Sequence, residues 1–301
     1  MFFSIITPCY KSSKTLSRVY ESLLAQSFKD FEWILVDDAS PDEGETKKEI
    51  LRLAKDAEIS IKYLFLDCNH FASKSVYEGA KLASGKYACI LDHDDYLPSN
   101  ALEKVLDTIQ VFNVSRDDSI AGVCGRCVNE RNIMIGPKFK SDRFIANEGY
   151  VRFNLGVTCE LFQFTKVSLI KDAFKDMKPG YTNGYSWAKI SKSKDYVFVN
   201  SVIRWYDTAN PESYTNNKSQ HVRFPENKMD ALLKTVAFYE PYTKYNLTYT
   251  FRLLASARRH SILANKNADE LINELPWGLR FLYKLSYIPA FLKSKEAKRN
   301  N

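Results

Sequence analysis

Two groups of carboxylates are the residues in this sequence best suited to chemistry. Asp37 and Asp38 end the apolar run Trp33–Val36, and Asp92, Asp94 and Asp95 fall within four positions directly after the run Tyr87–Leu91. Carboxylates crowded at the mouth of a sheet repel one another and raise each other's pKa unless a cation sits among them. Hard oxygen donors too few to form a full cage suit Mg2+ or Mn2+, which complete their shells with water and substrate phosphates. A diphosphate ligand is therefore implied. Acidic residues after strands can also simply cap helices or solvate loops. Asp37 and Asp38 fit that role equally well, but three aspartates in four positions fit it poorly.

The elements that must hold these residues are readable from apolar spacing. Short apolar runs at Phe3–Thr7, Trp33–Val36, Tyr63–Leu66 and Tyr87–Leu91 have the length of strands buried on both faces. Helical patterns lie between them; Leu16, Val19, Tyr20, Leu23 and Leu24 put one apolar stripe on a sheet. Another helix around Ser73–Ala83 stops at Ser84-Gly85, and a further one starts after Pro98 with Asn100 and Glu103 spaced as a capping box. This βαβαβαβα order predicts an α/β fold with a mostly parallel central sheet flanked by helices. In such sheets ligands collect at the C-terminal strand ends, where both acidic groups stand. Further on, Ile120–Val128 and Ile133–Ile135 read as a hairpin, Tyr196–Tyr206 as a strand, and Pro225–Tyr239 and Leu247–Ala264 as helices. Ser213–Gln220 reads as a polar, mobile segment.

From Phe3 to Pro98 the sequence resembles the family-2 glycosyltransferases of the GT-A fold. The resemblance lies in SIITPCY, in Leu24-Ala25-Gln26-Ser27-Phe28, in the run from Asp30 to Ser40, and in Ala83-Ser84-Gly85-Lys86-Tyr87 leading to Asp92-His93-Asp94-Asp95. The resemblance implies an inverting enzyme that moves a sugar from a nucleoside diphosphate sugar, a UDP-hexose or UDP-N-acetylhexosamine, to a hydroxyl of a glycan or lipid-linked oligosaccharide. It also implies that Pro8 and Tyr10 border the base, that Asp38 accepts a hydrogen bond from it, and that Asp92-His93-Asp94 is the D-x-D motif. Asp92 would contact the ribose or a metal-bound water, Asp94 would ligate Mn2+ or Mg2+, and Asp95 would support them. On this reading residues 1–222 are the GT-A domain, with a nucleotide-binding half (1–115) and an acceptor-side half (116–222). Residues 223–301 are a helical extension.

Several positions depart from the family pattern. Lys11 stands where an asparagine is usual and Phe71 where a glycine is, so the loop after the third strand is expected to be reshaped; Lys74 behind it could meet a phosphate. The acidic general base of inverting members falls on Asn183, and an amide cannot take a proton. Glu160, Asp172 or Asp176 could substitute, or catalysis could be absent; Asn183 before Gly184 also suits a turn. Arg204, ending a strand as Arg-x-Tyr, could reach the diphosphate or be an ordinary ion-pair residue, and His221 could complete a metal site.

The 301 residues, 45% hydrophobic and 26% charged, are those of a globular chain. The net charge of +7 is concentrated at one end: residues 276–301 hold Arg280, Lys284, Lys293, Lys295, Lys298 and Arg299 against Glu296 alone, a net +5. That distribution excludes a protein-wide nucleic-acid footprint. With Trp277, Phe281, Tyr287 and Phe291 interleaved, the tail suits either the surface of an anionic membrane or a helix packed on the domain. Six scattered cysteines fit reduced thiols in a cytosol better than a disulfide scaffold, and Cys124-Gly-Arg-Cys127, a lone CxxC, fits a strand with two small apolar side chains better than a zinc or redox site. The start, MFFSIITPCY, reads as a strand and not as a signal peptide. Nucleotidyl transfer and dinucleotide-dependent oxidoreduction are disfavoured because no glycine-rich loop follows the first strand. A catalytically silent nucleotide-sugar-binding subunit is the rival that Asn183 keeps open.

Overall fold

The computed structural model describes residues 1–55, 57–208 and 222–299. The chain divides into two compact units. One comprises Met1–Asn147, Thr158–Met177 and Lys194–Asn210; the other comprises Glu148–Val157, Lys178–Ser193 and Pro211–Asn301.

The first unit is built on an eight-stranded sheet of order β3-β2-β1-β4-β7-β5-β8-β6. Its first half alternates β1 (Phe3–Cys9), α1 (Leu16–Leu24), β2 (Phe31–Asp37), α2 (Glu45–Lys55), β3 (Ser60–Phe65), α3 (Ala72–Leu82), β4 (Tyr87–Ile90) and α4 (Ala101–Val111). These four strands run parallel. Their helices are held by the apolar stripes seen in the sequence. In α1, Leu16, Val19 and Leu23 are fully buried against Trp33 and Leu35 in the same core, each worth about 1.5–3 kcal/mol. At the start of β4, Gly85 is required by contact: a Cβ there would lie 2.7 Å from the Phe3 carbonyl carbon.

The second half adds β5 (Ile120–Val128), β6 (Arg143–Ala146), β7 (Leu161–Lys166), α5 (Val167–Phe174) and, later, β8 (Asp195–Trp205). β7 runs antiparallel between β4 and β5, while β5 and β8 are parallel. This insertion brings the start of β7 to the same sheet edge as the ends of β4 and β5. It sends α5 off from the other edge, where the Val167 amide donates to the Lys86 carbonyl.

Three expectations are corrected here. β3 is an edge strand and is not buried on both faces; Tyr63 is 43% exposed. The capping box at Asn100 does not form, because Glu103 accepts instead from the Ser27 hydroxyl at 2.8 Å. The Ile133–Ile135 arm of the hairpin is shorter than a strand: it returns antiparallel to the end of β5 through the Val128–Met134 bridge, with the Asn129 amide donating to the Ile133 carbonyl and the Ile135 amide to the Cys127 carbonyl at 2.9 Å each, because β7 takes the rest of that edge.

The second unit holds a π-helical turn (Tyr150–Asn154), α6 (Asn183–Ser191), α7 (Pro225–Phe238), α8 (Glu240–Thr243), α9 (Leu247–Ala264), α10 (Asp269–Asn273), α11 (Trp277–Leu285) and α12 (Tyr287–Arg299). Its core joins Met229, Leu233, Val236, Leu254 and Ala257 to Leu275, Leu279 and Tyr283. The tail is therefore helical and packed on one side. A buried pair fixes the turn to α6: Arg152 donates to Glu148 at 2.9 Å, and Glu148 also accepts from Ser191 at 3.2 Å. Ser213–Gln220 and His221 lie outside the described residues.

Candidate functional site

β1 lies between β2 and β4, so the two acidic groups flank its end on one edge of the sheet. At about 4.8 Å between neighbouring strands, the ends of β2 and β4 are about 10 Å apart, within reach of one extended ligand. Pro8 is the buried penultimate residue of β1, and Tyr10, 41% exposed, follows it into the space between. The Asp38 amide donates to the Cys9 carbonyl at 2.9 Å and locks the two chain exits together.

Asp38 is 3% exposed and accepts from the His70 amide at 2.8 Å. Burial raises its pKa, opposed by the His70 and Phe71 amides and the Ser75 hydroxyl. Asp37 is raised by burial too, against the hydroxyl and amide of Ser40. In the loop that supplies His70, Phe71 takes a conformation that favours glycine, at φ 68° and ψ 156°. Lys11 and Ala39, at the ends of β1 and β2, also have positive φ (54° and 52°). Non-glycine residues in that region cost of order 1–3 kcal/mol each, and here all three border the same edge. Lys74, one turn into α3, pairs with Glu78 at 3.3 Å and lies over the Tyr77 ring.

At the end of β4 the residues Asp92 to Asp95 form a turn, with the Asp95 amide on the Asp92 carbonyl at 3.1 Å. Thr15 holds His93 through Nδ1 at 3.0 Å, and the Arg18 guanidinium donates to the Asp94 carbonyl and, at 3.0 Å, to Asp207. Asp95 points into the protein, where Arg204 meets it through Nε at 2.7 Å. The same guanidinium reaches Glu160 at 3.2 Å and Asp92 at 3.4 Å, and its side chain is 4% exposed. Phe162 and Tyr206 lie against it. Burial drives Asp95 up to about 7; Arg204 opposes the shift, while the neighbouring carboxylates Asp92 and Asp94 reinforce it. One arginine thus organises three carboxylates, two of which, Asp92 and Glu160, keep 42% and 45% of their side chains in solvent.

The candidate bases fall in different places. Glu160, just before β7, is at the acidic edge; Asp172 in α5 and Asp176 beyond it follow the helix that starts at the opposite edge. Asn183 opens α6 in the second unit instead of forming a turn. Arg18 and Asp207 were not singled out in the sequence. Asp207, three residues beyond Arg204, carried the same signal of an acid after a strand; Arg18 looked like the polar face of an amphipathic helix.

No cluster of three or more metal-ligating side chains occurs among the described residues. Asp92 and Asp94 are the carboxylates at this edge that could hold a hard divalent ion such as Mg2+ or Mn2+, with water and phosphate completing its shell.

Residues 4–169 match the family model described as Glycosyl transferase family 2. A Campylobacter jejuni protein named GalNAc(5)-diNAcBac-PP-undecaprenol beta-1,3-glucosyltransferase is 26% identical over 225 residues, 72% of this chain and 68% of that protein. Several other curated relatives match over shorter stretches that span less than half of their own length. Among solved structures, TarS of S. aureus in complex with UDP-GlcNAc superposes with a TM-score of 0.62 at 14% identity, covering 100% of this chain and 92% of that one. A mannosyltransferase from Pyrobaculum calidifontis in complex with GDP-Man and Mn2+ gives 0.58 at 16% identity, covering 97% and 86%. At these identities the likeness establishes a GT-A-type fold.

Proposed function

The chain belongs to glycosyl transferase family 2, and from that premise we propose that it transfers one hexose-type unit from a nucleoside diphosphate sugar to a glycan or lipid-linked hydroxyl with inversion. The observation that carries the proposal is the shared edge formed by Asp38 at the end of β2 and Asp92–Asp95 at the end of β4, with Pro8 and Tyr10 between them. Pro8 and Tyr10 border the base and Asp38 accepts its hydrogen bond, while Asp92 meets the ribose. Asp92 and Asp94 would hold Mg2+ or Mn2+, which when bound offsets charge growing on the departing diphosphate. The relatives' bound UDP-GlcNAc and GDP-Man support a nucleotide-sugar donor.

Glu160 is the acid best placed to act as base. It takes the acceptor's proton as the hydroxyl oxygen bonds to the anomeric carbon, and the electrons of the breaking bond leave with the nucleoside diphosphate. Arg204, enclosed by Asp95, Asp92 and Glu160, is a positioning residue and not a diphosphate contact. Lys11 and Lys74 are cations at this edge that could turn to a phosphate. Residues 276–301 hold the protein to the cytoplasmic face of a membrane, where a lipid-linked acceptor resides; deleting them should release it from anionic vesicles. A catalytically silent donor-binding subunit is the second reading, favoured by Asn183. Metal-dependent hydrolysis of UDP-sugars, scanned without acceptor, separates the two. Slow turnover that Asp94→Ala abolishes supports transfer, and tight nucleotide binding with no turnover for any donor or acceptor supports the silent subunit.

A further inference from the structure

The last two helices wear apolar side chains on their outer face. Leu279, Tyr283, Ser286, Ala290 and Ser294 are at most 6% exposed, whereas Trp277, Phe281, Leu285, Ile288 and Leu292 are 78, 50, 55, 69 and 62% exposed. Each set recurs every three or four residues, so the two occupy opposite helix faces. Only Ser286 separates α11 from α12, and the spacing continues across it. The Trp277 and Phe281 rings are stacked, 5.8 Å between centroids.

Beside this row is a hollow of about 690 Å³ lined by Arg258, Arg280 and Lys284 together with Trp277 and Phe281, with Asp269 as its acidic member. Two of the cations are held in place. Arg258 lies over the Tyr283 and Tyr287 rings at 4.8 and 5.3 Å, with its Nε buried and lacking a hydrogen-bond partner. Arg280 donates Nε to the Leu275 carbonyl at 2.6 Å, which leaves its terminal nitrogens for a ligand.

We propose that this hollow binds the headgroup phosphate of an anionic phospholipid, and that the outer row from Trp277 to Leu292 enters the adjoining headgroup–acyl boundary. The charge is complementary to such a surface, and interfacial helices bury an apolar face in this way. No helix among the described residues is long and apolar enough to cross a membrane, so the row lies in the surface plane. A second copy is a poorer occupant, because pairing the same face would oppose Arg258, Arg280 and Lys284 to themselves. The inference rests on the surface-association part of the proposed function and is independent of glycosyl transfer.

The test uses the full chain with vesicles of phosphatidylcholine containing roughly a third phosphatidylglycerol, whose negative surface potential attracts Lys and Arg. Binding is followed by co-sedimentation and by tryptophan emission, whose change should report chiefly Trp277, since Trp33 and Trp187 are buried and Trp205 is stacked on Tyr96 in the other unit. Each cation near an anionic surface is worth about fivefold in partitioning, so Arg280→Gln with Lys284→Gln should weaken binding about 25-fold, and Arg258→Gln in addition about a hundredfold. Trp277→Ser with Phe281→Ser should weaken it and remove the blue shift. The double variant at 280 and 284 leaves the packing of Arg258 intact and so guards against misfolding. Equal binding to phosphatidylcholine alone overturns the proposal, as does a change reproduced by inorganic phosphate without vesicles. So does a self-association that the Trp277 and Phe281 variant abolishes while vesicle binding persists. Loss of binding on deleting 276–301 with full retention in the 280/284 variant would reject the hollow yet leave surface association standing.

Discussion

Replacing Arg204 by methionine keeps most of the apolar stem and removes the guanidinium that joins Asp95, Asp92 and Glu160. Asp95 is 1% exposed and, among the described residues, would keep the Asp207 amide, at 2.9 Å, on its other oxygen. Breaking a buried pair by removing one partner typically costs about 3–5 kcal/mol, because the remaining charge is left unpaired. Protonation limits that loss. The Asp95 carboxyl, already pushed up to about 7 with Arg204 opposing the shift, rises further once the arginine is gone. The sign follows from proton counting. Above about pH 7 the folded variant binds more protons than folded wild type, so the cost of the substitution grows with pH, by up to about 1.4 kcal/mol per unit. Below about pH 7 both forms carry the proton and the cost flattens. Urea unfolding in EDTA should therefore show a loss about 2 kcal/mol larger at pH 8.5 than at pH 6. Adding Asp95→Asn should recover most of the difference, because no charge then remains to be stranded. A loss below about 1 kcal/mol that does not vary with pH would refute the reasoning and return Arg204 to the diphosphate.

Two further perturbations bear on the frame of the site. Glu32 is 1% exposed, and Lys62, the Ser84 amide and the hydroxyls of Ser4 and Ser84 overrule its burial to draw its pKa down to about 2. A lowered carboxylate contributes stability above its unfolded value that is lost as pH falls through the folded one. Glu32→Gln should thus cost about 3 kcal/mol at pH 7, and urea titrations should show that cost vanishing between about pH 4.5 and 2. Phe71→Gly relieves a positive φ worth about 1–3 kcal/mol against a glycine entropy cost of about 0.5–1 kcal/mol. Thermal unfolding should move up by about 2 °C, and a fall of that size would show that the Phe71 side chain holds the loop.

Much of the nucleotide half was legible because its signals are local. Strand-length apolar runs and the stripe of α1 are set by periodicity, and Asp38, Asp92 and Asp94 stand directly after such runs, so their common edge followed from parallel order alone. The Arg204 cluster was not legible. Arg204 and Asp95 are 109 positions apart, and they meet only because β7 is threaded antiparallel between β4 and β5, a connection without a sequence mark. The same threading separates Glu160 from Asp172 and Asp176, which read alike as spare carboxylates. At Asn100 and Glu103 a local rule pointed to a cap, and a distant hydroxyl, Ser27, took the acid instead.

The most direct measurement is calorimetric titration of UDP with and without Mn2+ into wild type, Asp38→Asn and Asp94→Asn. If one ligand bridges the ends of β2 and β4, each substitution removes a charge-assisted contact worth about 1.5–3 kcal/mol and weakens binding at least tenfold, and Asp94→Asn alone abolishes the Mn2+ dependence. Wild-type affinity in both variants, with the metal effect intact, would contradict the shared site.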